Sequence, residues 1–310
     1  MKILISGSTG LVGTAVTKAL TRQGHTVCRL IRPTTQVGPE PAGGFDVSWN
    51  PESGELGGAA VGADAVVHLS GASVAAKRWT EKRKDVLLSS RINATRALVA
   101  ALGRMNAKPA VLISASAVGY YGNRGDEILV EESVPGDDFL AKLATRWEEE
   151  ARRAEAFGTR VVLARFGVIL AKEGGALPMM LRPFQFGLGG RIASGKQWVA
   201  WIALADVVGV LLRCLNSTPI TGTVKFAPIS GPVNVVGPEP LTNAEFTKEL
   251  ARATHRPAVI PAPAFVLRLA LGEMADALLM ASQRALPKKL LETGYQFQHP
   301  NLHSAMAAVI

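Results

Sequence analysis

The sequence has 310 residues, which is long enough for two lobes, and its 48% hydrophobic and 19% charged content excludes a disordered chain. No window of about 18 residues is both apolar and uncharged, and no secretory pattern opens the chain, so we expect neither a membrane span nor a signal peptide. The net charge of +9 comes without a Lys/Arg tract and with only 6% aromatic residues, which disfavours nucleic acid binding. An anionic small-molecule ligand and a merely solvated basic face explain that charge equally well.

Apolar runs alternate with helical patterns along the first 170 residues. The predicted strands are KILIS, HTVCRLIR, ADAVVHLSG, AVLISASA and TRVVLARFGVIL, and the predicted helices are TAVTKALTRQG, SSRINATRALVAALGRM and ATRWEEEARRAEAFG. Strands that are apolar throughout are buried on both faces, and their alternation with helices indicates parallel βαβ units. The sequence therefore predicts an α/β fold with a Rossmann-type, doubly wound parallel sheet.

A Gly- and Pro-rich stretch after Leu170 interrupts this rhythm. We therefore place a dinucleotide-binding domain at residues 1–170 and a smaller α/β C-terminal lobe at 171–310. We expect the chain to return to the first domain around residues 203–240.

The first predicted strand is followed by Gly7-x-x-Gly10-x-x-Gly13 and then by a helix. Gly7 allows a tight turn, Gly10 lets a phosphate approach the backbone, and Gly13 lets the helix pack closely on the strand. The free N–H groups and the dipole of the helix N-terminus favour an anion at this place. Inside a βαβ unit, this pattern favours dinucleotide binding over a structural turn.

The end of the second strand indicates which dinucleotide binds. An NAD site usually carries Asp or Glu there to hold the ribose 2′-hydroxyl, but no acidic residue lies between Gly13 and Glu40. Ile31 and Arg32 stand at that place, with Arg29 nearby, and a guanidinium binds a 2′-phosphate in a fork. The sequence predicts NADP(H), unless Arg32 only closes the strand at the surface.

Cys28 and Cys214 lie far apart in apolar segments, which is typical of reduced core residues. The five histidines form no convincing ligand set with a third group, so we expect no metal site. We expect a cytoplasmic protein.

Several segments carry a resemblance to a known family. ISGSTGLVG, DAVVHLSGAS and ISASAVGYYG resemble the extended short-chain dehydrogenase/reductases, the nucleotide-sugar epimerase superfamily. The longer segments are similar to its atypical epimerase-like subgroup, the epimerase family proteins of the 39U type, also described as cell-division inhibitor homologues: KRWTEKRKDVLLSSRINATRAL, DDFLAKLATRWEEEA, GGALPMMLRPFQFGLGGRIASGKQWVAWI, LTNAEFTKELARATHRPAVIPAPAF and QRALPKKLLETGYQF. The resemblance implies a Rossmann domain, a C-terminal domain particular to the subgroup, and NADP binding, but no settled reaction.

The resemblance also assigns cofactor contacts by segment. It assigns the pyrophosphate contacts to Gly7, Ser8, Thr9, Gly10, Leu11 and Val12, and the adenosine 2′-phosphate end to Ile31 and Arg32. It assigns the contacts of the loop after the third strand to Leu69, Ser70 and Gly71, and those on the nicotinamide side to Phe166, Gly167 and Val168. Arg91 and Ser114 complete the predicted cofactor set. A surface salt bridge explains Arg91 equally well, and a buried strand end is the alternative for residues 166–168.

The chemistry implied by the resemblance is incomplete. A short-chain dehydrogenase uses Ser, Tyr and a Lys four residues after the Tyr, whose charge lowers the Tyr pKa. No Tyr-x-x-x-Lys occurs here; Phe139 stands at the Tyr-like position, and Lys142 is one position off. Ser116 and, four residues later, Tyr120 are the remaining candidate catalytic residues. We expect the acidic stretch that begins at Glu131 to be a solvated turn.

Two functions of different kinds stay open. The first is an NADP-dependent oxidoreductase or epimerase-like enzyme acting on a nucleotide sugar or another small carbonyl or alcohol, with altered proton chemistry. The second is a non-catalytic NADP-binding sensor or scaffold that acts through a protein partner. The expected partner of the first is an anionic small molecule, not nucleic acid or membrane, and the sequence leaves open whether the protein forms a homodimer.

Overall fold

A large twisted sheet organises the computed structural model, which describes residues 1–32, 38–40, 42–216 and 228–310. The strands are β1 (Lys2–Ser6), β2 (Thr26–Ile31), β3 (Phe45–Asn50), β4 (Glu55–Leu56), β5 (Ala65–His68), β6 (Val111–Ala117), β7 (Ile128–Leu129), β8 (Arg160–Phe166), β9 (Val168–Leu170), β10 (Trp198–Val199), β11 (Trp201–Ala203), β12 (Gly231–Val235), β13 (Leu241–Thr242) and β14 (Arg284–Ala285). The helices are α1 (Leu11–Arg22), α2 (Glu81–Leu88), α3 (Ala94–Arg104), α4 (Phe139–Arg152), α5 (Leu177–Gln185), α6 (Leu204–Leu215), α7 (Asn243–Thr254), α8 (Ala264–Leu271), α9 (Glu273–Ala275), α10 (Lys288–Glu292) and α11 (Leu302–Val309). Short 3-10 turns cover Gly58–Ala60, Val118–Tyr121 and Arg153–Phe157, and π-helical turns cover Ser89–Asn93 and Asp276–Met280.

The large sheet has the strand order β12-β8-β6-β5-β1-β2-β3-β4. Its pairs are parallel except for the short β4, which runs antiparallel to β3. From β1 the chain winds outward through β2 and β3 and then returns to the other side of β1 at β5. In open α/β sheets, ligands bind at such a reversal, outside the carboxyl ends of the strands.

Alternation along the strands distributes the core over both faces of the sheet. Ile3 and Ile5 face α1 and α6, whereas Leu4, between them, faces α3 and belongs to the second core cluster. Each of these side chains is fully buried. The doubly wound α/β fold predicted from the sequence is therefore present, and Cys28 and Cys214 are both buried and are not joined in a disulfide.

The structure adds elements that the sequence patterns did not predict. β3, in FDVSWN, carries polar residues between its buried ones, and α2 begins at Glu81 behind the Thr80 cap. The fifth predicted strand divides at Gly167 into β8 and β9. A Cβ at Gly167 would lie 2.6 Å from the carbonyl oxygen of Ala200, so the two backbones pass too closely for any other residue at this point. β12 rejoins the large sheet within the 203–240 stretch; the domain bounds themselves stay a prediction.

A third cluster of buried residues joins α5, α7 and α11 to the small sheets formed by β9 with β11 and by β10 with β13. The C-terminal segment also contacts the large domain through α6, where the fully buried Asp206 accepts the backbone N–H groups of Gln298 at 2.7 Å and His299 at 3.0 Å. The Tyr295 hydroxyl donates to the backbone carbonyl of Asp206 at 3.2 Å. In the part of the chain that the structure describes, no helix is long and apolar enough to cross a membrane.

Candidate cofactor cleft and active site

Each of the three glycines in the first loop has a different structural role. Gly7 adopts φ +72°, and a Cβ there would lie 2.8 Å from the carbonyl of Leu69. A Cβ at Gly13 would lie 2.1 Å from the carbonyl oxygen of Gly7. Gly10 has an ordinary φ of −78°, and a Cβ there would meet only the Gly7 oxygen, at 3.3 Å. Gly7 and Gly13 shape the loop, and Gly10 leaves open space beside the helix N-terminus.

The N-terminus of α1 is prepared for an anion. Gly10 caps the helix without a side-chain hydrogen bond, and the first turn carries no acidic residue. Ser8 is 5% exposed, and its hydroxyl finds no hydrogen-bond partner among the described residues. A phosphate at this place would accept from the free N–H groups and from Ser8, so these residues fit the diphosphate of a dinucleotide.

A cleft of about 1020 Å³ opens along this loop at the carboxyl ends of β1, β2 and β5. The predicted cofactor residues that line it are Gly7, Ser8, Thr9, Gly10, Ile31, Arg32, Leu69, Ser70 and Gly71. Asn93 of the π-helical turn and residues of α3, including Arg96 and Arg104, form its opposite wall. Sequence reasoning missed that wall, because its residues follow the glycines by about 80 positions and carry no motif.

The guanidinium groups of Arg29 and Arg32 differ in whether they already have a carboxylate partner. Arg29 donates to both oxygens of Asp46, at 2.7 and 2.9 Å, so its guanidinium serves the pairing of β2 with β3. Arg32 is exposed at the cleft, and within the described part of the chain it forms no ion pair. Its guanidinium is therefore available to a 2′-phosphate.

The other predicted cofactor residues lie outside the lining of this cleft: Leu11, Val12, Arg91, Ser114, Phe166, Gly167 and Val168. Ser114 is fully buried, and Val168 pairs in β9 with Trp201 of β11. The close approach of Gly167 to Ala200 explains the glycine at this position by packing alone, without a cofactor contact. Contact between these residues and a cofactor stays a prediction.

Ser116 belongs to a buried polar network at the end of β6. Its hydroxyl donates to Glu148 of α4 at 2.7 Å, and Glu148 forms a two-pronged ion pair with Arg165 of β8 at 2.8 and 2.9 Å. All three residues are 5% exposed or less. The structure thus places a carboxylate beside Ser116 that the sequence did not indicate, because 32 positions separate the two.

The two neighbouring tyrosines have different environments. The Arg165 guanidinium lies 3.5 Å from the ring centroid of Tyr120, whose hydroxyl has no hydrogen bond within the described part of the chain. The Tyr121 hydroxyl accepts from Arg165 at 3.0 Å and donates to Asn234 at 2.7 Å. Burial raises the pKa of Tyr121 to about 12, so Tyr120 is the better candidate for a proton donor.

Glu131 is not in a solvated turn. It is 2% exposed, and its carboxylate accepts the backbone N–H groups of Asn234 at 3.1 Å and Lys289 at 3.3 Å. Burial raises the pKa of this carboxyl above its ordinary value. The prediction fails at Glu131, because residues more than 100 positions later in the sequence cover it, whereas Glu132 and Asp137 of the same stretch are exposed.

Phe139 is not the residue of α4 that faces Ser116. Its ring packs edge-on against Trp79, with centroids 5.2 Å apart, and lies 5.2 Å from the ammonium of Lys84. The next residue, Leu140, covers Gly119 just after β6; a Cβ on that glycine would lie 3.4 Å from the Leu140 Cβ. Positions 140, 144 and 148 share one face of a helix, and Glu148 of that face meets Ser116. On that face, Leu140 and Ala144 are both apolar, and the correspondence of Phe139 to the missing tyrosine stays a prediction.

A second buried network lies under the glycine loop. His68 has one ring nitrogen 2.5 Å from the Ser6 hydroxyl and the other 2.9 Å from the Thr95 hydroxyl, which also accepts from the Trp147 indole at 2.9 Å. Burial lowers the pKa of His68 from 6.5 to about 4. The imidazole is neutral at physiological pH and ties β1 and β5 to α3 and α4.

We expect the free energy of unfolding to decrease as the pH is lowered, because His68 is buried in its neutral form. Between pH 6.5 and about 4, His68 of the unfolded chain binds a proton that the folded protein excludes. Lowering the pH from 7 to 5 should therefore reduce the free energy of unfolding by about 2 kcal/mol through this group. Urea unfolding of the wild type and of His68→Gln at several pH values measures it. The unfolding free energy of His68→Gln should depend less steeply on pH than that of the wild type. The control His303→Gln, which replaces a side chain that is 69% exposed, should keep the wild-type pH dependence. Equal slopes for wild type and His68→Gln would contradict the assignment.

No group of three His, Cys, Asp or Glu side chains within the described ranges is arranged to hold a metal ion.

The doubly wound sheet, the glycine loop and the long cleft at the β1/β5 reversal define a dinucleotide-binding protein of the short-chain dehydrogenase/reductase class. Residues 3–223 match the model of the NAD dependent epimerase/dehydratase family, and residues 262–309 match a domain of unknown function, DUF1731. The chain belongs to the NAD dependent epimerase/dehydratase family.

Relatives and solved structures are similar over nearly the whole chain. Epimerase family protein Mb2239 of Mycobacterium bovis is 43% identical over 305 residues, covering 98% of this chain and 96% of the relative. The crystal structure of human epimerase family protein SDR39U1 with NADPH has a TM-score of 0.85 and 33% identity, covering 100% and 99% of the two chains. The nucleoside-diphosphate sugar epimerase from Corynebacterium glutamicum has a TM-score of 0.75 and 34% identity, covering 99% of this chain and 57% of its own. These similarities confirm the predicted family and fold, and the NADPH of the human protein agrees with the predicted cofactor.

Proposed function

We propose that this protein binds NADP(H) in the cleft beside the glycine loop and acts on a small anionic carbonyl or alcohol, with a nucleotide sugar as the leading substrate class. The observation that carries the cofactor assignment is the exposed guanidinium of Arg32, which lines the cleft just after β2 and forms no ion pair with any described residue. The NADPH-bound human relative and the sugar epimerase among the similar structures support the proposal.

We expect NADPH to bind at least tenfold tighter than NADH, a difference of about 1.4 kcal/mol, because Arg32 contacts the additional phosphate. Calorimetric titration with both cofactors measures the preference. Arg32→Gln should bring the two affinities close together, whereas Lys18→Gln, at an exposed position of α1, should preserve the difference. Equal affinities in the wild type would show that Arg32 does not bind the phosphate.

In the proposed reaction the residues of this chain would position the substrate and move a proton, and NADP(H), when bound, would supply hydride-transfer chemistry. Ser116 and Tyr120 are the hydroxyls at the end of β6 that we assign to the substrate. Ser116 is oriented by Glu148, and Tyr120 is held by its stacking on Arg165.

Loss of either hydroxyl should lower the rate. General acid–base help is worth about 10²–10⁴-fold, so we expect Tyr120→Phe or Ser116→Ala to lower kcat/KM about tenfold or more, with NADPH affinity nearly unchanged. Steady-state reduction of carbonyl substrates measures kcat/KM, and calorimetry measures cofactor binding. If both variants keep full activity, the assignment of the β6 hydroxyls to the substrate is wrong.

A non-catalytic NADP-binding role is the second candidate, and the apolar face of α4 favours it. Leu140 and Ala144, two turns and one turn before Glu148 on α4, supply neither a proton donor nor a cation. A panel of nucleotide sugars and small carbonyl compounds, followed by NADPH absorbance, separates the two functions. No turnover in the wild type together with turnover in Leu140→Tyr/Ala144→Lys would identify a binding module that lacks its catalyst.

A further inference from the structure

An exposed apolar surface lies where two segments of the second half of the chain meet. The backbone N–H of Ile260 donates to the carbonyl of Gly189 at 3.1 Å, and that of Ala262 donates to the carbonyl of Arg191 at 2.9 Å. A Cβ on Gly190 would lie 1.8 Å from the carbonyl oxygen of Ile260, so the two segments run side by side in close contact. The large exposed side chains along and just beyond them form a surface that we call the apolar ridge: Phe186, Leu188, Val259, Ile260, Phe265 and Leu269.

The apolar ridge projects into solvent. Phe186, Phe265 and Leu269 are 77%, 72% and 79% exposed. Phe265 and Leu269 stand four positions apart on α8 and therefore share one side of that helix, which has no buried residue. Apolar surface of this extent is unfavourable in water, and on a folded protein it marks an interaction site.

The charge around the apolar ridge has one sign. Residues 174–205 and 250–272, which contain the ridge, include no acidic residue. Two arginines of these ranges, Arg252 and Arg268, each pair with a carboxylate that lies just outside them. The other cations of these ranges are exposed and form no ion pair with any residue that the structure describes: Arg182, Arg191, Lys196 and Arg256. The surface thus combines projecting apolar side chains with an unbalanced positive charge.

This combination fits the surface of an anionic membrane better than a protein partner. Basic side chains beside exposed Phe and Leu are typical of segments that lie in the membrane interface, and anionic lipid attracts each of the cations. A fluid lipid phase accepts projecting side chains of any shape, whereas a protein partner must have a complementary surface. A second copy of this chain is disfavoured, because a two-fold contact would place the four unpaired cations against their own copies.

We propose that the apolar ridge and the four unpaired cations bind this protein to the surface of a membrane that contains anionic lipid. The ridge side chains enter the boundary of the acyl chains, and the guanidinium and ammonium groups stay at the level of the lipid phosphates. From the sequence we expected no membrane partner, because no window of about 18 residues is apolar enough to span one. Binding at the surface needs no such window, and it is independent of the cofactor and of the proposed reaction.

Binding to lipid vesicles tests the proposal. The protein is co-sedimented with vesicles of phosphatidylcholine alone and with vesicles that also contain phosphatidylglycerol, at about 0.1 M salt. We expect a partition coefficient at least about tenfold higher for the anionic vesicles. It should fall when the salt is raised to about 1 M, because the cations are then screened.

Two double variants test the two parts of the surface. Phe265→Ser/Leu269→Ser should lower binding to the anionic vesicles about tenfold or more, because two apolar side chains are lost from the contact. Arg182→Gln/Arg256→Gln should lower it by a similar factor, because two charges are lost. All four side chains are exposed, so both proteins should keep a Tm close to that of the wild type.

Matched controls replace exposed side chains away from the ridge. Val61→Ser/Val134→Ser removes two apolar side chains that are exposed elsewhere, and Lys18→Gln/Lys82→Gln removes two exposed cations. Both controls should bind the anionic vesicles within about twofold of wild type.

The proposal is overturned if the wild type does not sediment with the anionic vesicles. It is also overturned if Phe265→Ser/Leu269→Ser, with an unchanged Tm, binds as well as wild type. An equal loss of binding in Lys18→Gln/Lys82→Gln and in Arg182→Gln/Arg256→Gln would overturn it by reducing the effect to net charge. Sedimentation velocity adds one further outcome: a wild-type dimer that Phe265→Ser/Leu269→Ser dissociates, without vesicle binding, assigns the ridge to a second copy of the chain instead.

Discussion

Gly10→Val is expected to abolish NADPH binding while the protein still folds. The backbone of Gly10 has φ −78°, which valine adopts, and a Cβ meets only the Gly7 carbonyl oxygen at 3.3 Å. The branched side chain therefore fits the loop but fills the space beside the N-terminus of α1, where the diphosphate is expected. Calorimetry with NADPH and a thermal melt of the same preparation measure the two properties.

Gly13→Val is the matched control for Gly10→Val. Its Cβ would lie 2.1 Å from the Gly7 carbonyl oxygen, so the loop itself must move and we expect a clear loss of Tm. A Gly10→Val protein with normal NADPH affinity would show that the diphosphate does not lie along this loop.

Glu148→Gln is expected to cost about 3–5 kcal/mol of unfolding free energy, because it leaves the buried guanidinium of Arg165 without its counter-charge. Denaturant unfolding of wild type and variant at neutral pH measures the loss. Replacing both members, in Glu148→Leu/Arg165→Met, should recover a large part of it, since the desolvated charge is then absent.

Asp276→Asn is the matched control for this ion pair. Arg268 and Asp276 also form a two-pronged contact, at 2.8 and 3.1 Å, but their side chains are 57% and 50% exposed. Water screens that pair, so the variant should unfold with wild-type stability. A similarly small effect of Glu148→Gln would contradict the structural role assigned to the buried pair.

Local patterns predicted the parts of the protein that local chemistry determines. The glycine loop, the strands on either side of it and the unopposed Arg32 all follow from neighbours in the sequence, and the structure brings them to one cleft. The partner of Ser116 was not predictable in this way, because Glu148 reaches it only after α4 has packed on the sheet.

The sequence also did not predict which residues of α4 face the sheet. Phe139 and Leu140 are adjacent and both apolar, so the sequence alone did not decide which of them faces β6. Packing against Trp79 and Gly119 decides it. The burial of Glu131 likewise depends on Asn234 and Lys289, which follow it by more than 100 positions.

The amide contacts of Asp206 have a consequence for how this chain can be divided. Asp206 lies in the region matched by the epimerase family model, and Gln298 and His299 lie in the region matched by DUF1731. We expect a cut between the two matches to remove both amide donors of Asp206 and to expose the surface that α11 now covers. The two matches are separate sequence units that share buried contacts, so we expect a fragment carrying only one of them to be less stable than the full chain.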